Sequence, residues 1–72
     1  MQNETLIKMA NQIGDFFEVE PNKKQAEQDI AYHLNRFWTL DMRQQIAQYV
    51  SEKSGAGLHA AVANAISQHL KI

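Results

Sequence analysis

The chain has 72 residues, no cysteine and a formal net charge of −1, a size that holds one hydrophobic core and is marginal alone. The missing thiols exclude disulfides, cysteine nucleophiles, thiolate metal sites and iron–sulfur ligation within the chain. The near-neutral charge lacks the basic footprint of a general nucleic-acid binder, no run approaches the ~20 apolar residues of a membrane span, and the N-terminus lacks the pattern of a signal peptide.

The first predicted helix runs from about residue 4 to 17. Leu6, Met9, Ala10, Ile13 and Phe17 recur at helical spacing and form one stripe. At about 100° per residue, Phe16 falls roughly 80° off that stripe and Ile7 roughly 100° off its other flank. Gly14 interrupts the helix at a cost of ~1 kcal/mol relative to alanine, and such a glycine either admits a neighbouring helix or is simply a weak point. Asn11 and Gln12 sit mid-helix among apolar neighbours. Either they face solvent, the reading the helical wheel favours, or they hydrogen-bond a second chain.

Pro21 closes this region, because the residue before proline avoids helical geometry. Asn22 then has the form of an N-cap, with Gln25 three residues on as in a capping box. The second helix is expected over about residues 23–38. Ala26, Ile30, Leu34 and Phe37 form its stripe, while Ala31 and Trp38 give a shallower flank and His33 and Arg36 lie on the opposite one. Thr39 caps a third helix over residues 40–53, with Asp41 in its first turn and Met42, Ile46, Tyr49 and Val50 facing inward. The joint between the second and third helices is nearly without a loop. Ser54-Gly55-Ala56-Gly57 breaks the chain, with Gly55 as a left-handed C-cap. A fourth helix follows over about 59–70, its Val62, Ile66 and Leu70 inward. With no persistent strand alternation, the expectation is a small all-α domain of about four helices in one unit, residues 1–72.

Chemistry is sparse. His33, His59 and His69 form no His-x-x-x-His or Glu-x-x-His pair, and no carboxylate stands at ligand spacing from them in the sequence. His33 and His69 fall at the edges of core stripes. Asp29 and His33, four apart, read as an ordinary helical pair, since no serine or threonine is positioned to complete a dyad. Gly55-Ala56-Gly57 lacks the strand of a nucleotide fingerprint. Catalysis by this chain alone is not expected.

Four of the six aromatics form two doublets, Phe16-Phe17 and Phe37-Trp38. Helix neighbours point about 100° apart, so one of each pair can enter the core while the other stays at its margin. The wheel assigns Phe17 and Phe37 to the core and Phe16 and Trp38 to the margin. The marginal pair either completes a wide internal core or meets a partner.

The words around these doublets resemble a known family. Met9-Ala10-Asn11-Gln12-Ile13-Gly14-Asp15-Phe16-Phe17, then Ile30-Ala31-Tyr32-His33-Leu34-Asn35-Arg36-Phe37-Trp38 with Met42-Arg43, then Gly57-Leu58 before the last helix, are similar in order and spacing to the delta subunit of NAD-dependent, molybdenum- or tungsten-containing formate dehydrogenase. The resemblance spans about Leu6 to Leu70. Leu40 and Asp41 depart from it where the family typically has a proline and a basic residue, which alters the start of the third helix and any basic contact there.

The resemblance implies a cytoplasmic, non-catalytic accessory subunit that supports assembly, stability or activity of the complex. Its partner is then the large catalytic alpha subunit, with the bis-pterin metal cofactor, iron–sulfur clusters, FMN and NAD on partner subunits and none in this chain. The expected partner-binding residues are Ile7, Phe16 and Trp38 as apolar anchors, with Asn11, Gln12, His33, Arg36 and Arg43 as directed polar groups. Two other readings stay open. One is a small helix-turn-helix regulator, for which Arg43, Gln44 and Gln45 suit a reading helix and Asp41 does not. The other is a module that self-associates weakly through the same flanks.

Overall fold

In the computed structural model, which describes residues 1–72, four helices follow one another without strands: α1 (Asn3–Phe17), α2 (Lys23–Phe37), α3 (Leu40–Lys53) and α4 (Ala60–His69). The predicted all-α class is what forms, and the boundaries differ from the expected ones by one residue at most.

Local chemistry explains the ends. Asn22 accepts a hydrogen bond from Gln25 N at 3.1 Å, which starts α2. The reciprocal half of the capping box is absent: Gln25 Nε2 donates onward to Asp29 at 2.8 Å, and Asn22 N donates to Glu20 Oε1 instead. Thr39 Oγ1 accepts from Met42 N at 3.2 Å and starts α3. The left-handed turn after α3 begins one residue earlier than expected, at Ser54 (φ 55°), and continues through Gly55 (φ 71°). Gly57 returns to positive φ (86°) before α4, a geometry that glycine adopts without steric cost.

The four helices wrap one core. α4 lies along α2 and also meets α3 and α1, while α1 touches all three others. Leu6, Ala10, Ile30, Ala31, Leu34, Trp38, Ile46, Val62, Ala65 and Ile66 are buried together, with Met42, Tyr49, Val50 and Leu70 packed partly buried against them. The stripes read from the sequence are thus the inward faces, with one reversal. Trp38 is 6% exposed and belongs to the core, whereas Phe37 is 65% exposed. α2 ends at Phe37, and Trp38 takes extended backbone angles (φ −84°, ψ 143°). The helical wheel assumes a further 100° step that the chain does not make there, so the indole swings inward and the phenyl stays out.

Gly14 is a point of close approach. A Cβ built on it collides with Val62 Cγ2 of α4 and lies 3.3 Å from Glu18 Oε2. Gly14→Ala gains ~1 kcal/mol of helix propensity but overpacks the α1–α4 contact by ~1–3 kcal/mol, so a net loss of roughly 1 kcal/mol is expected in urea unfolding. A stabilised variant would show that α1 and α4 can part without cost.

Candidate functional site

An apolar groove lies between α1 and the end of α2. Met9, Gln12, Ile13, Phe16 and Phe17 come from α1, with His33, Phe37 and Trp38 opposite, around a volume of about 500 Å³. The spacing that made the α1 stripe also builds one wall, since Met9, Ile13 and Phe17 show their outer edges where α2 ends. Aromatic rings continue from wall to wall. Phe16 meets Phe17 edge-on at 5.0 Å between centroids, Phe17 meets His33 at 5.9 Å, and His33 meets Phe37 at 4.7 Å. The Arg36 guanidinium lies 5.8 Å above the Phe37 ring and donates to the Tyr32 hydroxyl at 3.0 Å.

Two large rings here remain mostly uncovered by their own chain: Phe16 is 73% exposed and Phe37 65%. Phenyl groups left in water forgo the ~25 cal/mol per Å² that burial supplies, and paired on one groove they have the form of anchors for a protein surface. The rim is polar, with Gln12, Tyr32 and Arg36 exposed around it.

The groove gathers part of the expected set. Gln12, Phe16 and His33 line it, Arg36 stands over Phe37 at its edge, and Trp38 contributes from within the core rather than from the surface. Three expected partner-binding residues lie elsewhere and are engaged inside the chain. Ile7 packs partly buried on the core, with its Cγ2 3.7 Å from where a Cβ on Gly57 would sit. Asn11 is partly buried and both ends of its amide are engaged within the chain: its nitrogen donates to Gly57 O at 2.9 Å and its oxygen accepts from His59 N at 2.9 Å, fastening α1 to the start of α4. Arg43 donates to Asn35 O at 2.7 Å, closing the sharp α2–α3 joint. That bond also withdraws the basic group that a DNA-reading α3 would use.

Met9, Ile13, Phe17 and Phe37 are groove residues that the wheel missed. The first three were counted as core, and each is only half-buried. Phe37 was misplaced with Trp38, and the signal that locates it is the capping Thr39, which marks where the wheel must stop. The Asp29–His33 pair does not form, because Asp29 is taken by Gln25 and His33 stacks among the phenyl rings. His69 is exposed rather than at a core edge, and its carbonyl accepts from Asn35 Nδ2.

A second cluster lies outside the groove. His59 Nδ1 is 3.2 Å from Asp15 Oδ1 and 3.1 Å from Glu18 Oε2. These residues are too far apart in sequence for any spacing rule to join them.

No helix is long and apolar enough to cross a membrane. Compared with known proteins, the chain matches the model of the NADH-dependent formate dehydrogenase delta subunit FdsD over residues 5–66. No curated protein and no solved structure gives a significant match.

Proposed function

We propose, for a chain that belongs to the NADH-dependent formate dehydrogenase delta subunit family, a role as a cytoplasmic, non-catalytic subunit that docks on the catalytic subunit of the complex through the α1–α2 aromatic groove. The observation that carries this reading is the pairing of Phe16 and Phe37, both exposed, on one groove of a chain whose family places it in a larger assembly. Large aromatics dominate interface energetics once a partner excludes water from them. Arg36, already held over Phe37 and next to Tyr32, is placed to add directed hydrogen bonds at the rim.

Neither thiolate ligation nor the groove's lining suits the redox groups of such a complex. The chain has no cysteine to hold an iron–sulfur cluster. Six of the eight groove-lining residues are hydrophobic and none is a lysine or arginine, so the groove offers no cationic cradle for the phosphates of a pterin dinucleotide, FMN or NAD. In this reading those groups reside on partner subunits, and this chain supplies docking surface.

Affinity purification of the tagged full chain from its native cells, with mass spectrometry and metal analysis, tests the reading. A large molybdenum- or tungsten-containing formate dehydrogenase subunit is expected in the eluate. Recovery of the chain alone, or only with further copies of itself by sedimentation, would overturn a stable docking role.

A further inference from the structure

The Asp15–Glu18–His59 cluster is independent of the groove and shares no residue with it. The geometry points to a divalent transition-metal site at this position, of the class that takes mixed imidazole and carboxylate donors, such as Zn²⁺ or Co²⁺. One donor atom from each residue lies within 4.8 Å of the other two. The nitrogen–oxygen separations are 3.2 and 3.1 Å. Donors held at about 2.0–2.2 Å from one ion stand about 3–3.5 Å from each other, so His59 Nδ1 already stands at that spacing from each carboxylate oxygen.

Charge supports the same conclusion. Two carboxylates converge on one nitrogen, which has at most one proton to share between them. No lysine or arginine forms an ion pair with either acid, since both pairs present in the fold are those of His59. The cluster also sits at the C-terminal end of α1, where the helix dipole is negative and the last turn carries no basic residue. A divalent ion neutralises two carboxylates, whereas a protonated imidazole neutralises one.

The donors are positioned before any ion arrives. Asn11 fixes the His59 backbone through its N–H, and Gly14, lacking a Cβ, leaves room for Glu18 Oε2 and His59 Nδ1 beside it. The side chains remain 68%, 35% and 39% exposed for Asp15, Glu18 and His59, so a bound ion keeps open positions for water or an outside ligand. Occupation would tie the end of α1 to the start of α4, two segments joined otherwise through Asn11 and Val62.

Calorimetric titration of Zn²⁺ into the purified full chain, with Co²⁺ absorption as a second readout, tests the site. One saturable site is expected, and free metal at about 100 times its dissociation constant should raise the melting temperature by roughly 10–20 °C. His59→Gln and Glu18→Gln should each weaken binding by about tenfold or more, while His33→Gln and His69→Gln leave it unchanged. Asp15→Asn, at the most exposed position, keeps the test valid if the other variants lose helicity in circular dichroism without metal. Absence of saturable binding, binding that survives all three site variants, or binding lost on replacing His33 or His69 would each overturn the proposal.

Discussion

Trp38→Ala is expected to destabilise the isolated chain by about 3–5 kcal/mol, a large share of the 5–15 kcal/mol, or about that, which holds a typical domain together. The indole is 6% exposed and belongs to the one buried cluster that unites the four helices. It also sits in the two-residue joint between α2 and α3, so its loss opens a cavity where the chain turns sharply and little backbone can collapse to fill it. Urea unfolding should show a much lower midpoint, and any loss of complex formation should follow the loss of folded protein. A near-native midpoint with impaired binding would return Trp38 to the surface role that the helical wheel suggested.

The converse is expected for the double variant Phe16→Ala, Phe37→Ala. Both rings are mostly exposed, and their removal takes little from the core, so helicity and unfolding midpoint should stay near native. Affinity for the catalytic subunit should fall by about 100-fold or more, because two aromatic anchors at ~2 kcal/mol each correspond to several tenfold steps in binding. Calorimetry or surface plasmon resonance with the purified partner measures this directly. Unchanged affinity would place the interface on another face and leave the groove without a role in docking.

Much of the fold was legible because helices advertise themselves locally. Leu6, Ala10, Ile30, Leu34, Ile46, Val62 and Ile66 recur at helical spacing and all are buried. Asn22 and Thr39 mark helix starts by side-chain chemistry alone, and both cap as expected. The site was less legible. The doublets flank the groove, but the wheel places a residue only while the chain remains helical. At Phe17 it gave half an answer, a ring both packed on the core and lining the groove. At Trp38 it failed, because the helix had already ended.

The sequence by itself determined the helix count, the caps and the inward faces, since each follows from residues within a few positions of one another. It also carried the family wording, which the match over residues 5–66 bears out. Only the tertiary structure decided which polar groups serve the chain and which face outward. Asn11 finds its partners at Gly57 and His59, and His59 finds Asp15 and Glu18, across 41 to 48 residues of chain. Such pairings depend on how α1 and α4 cross, and that crossing is set by the collective fit of the core, down to the missing Cβ of Gly14 against Val62.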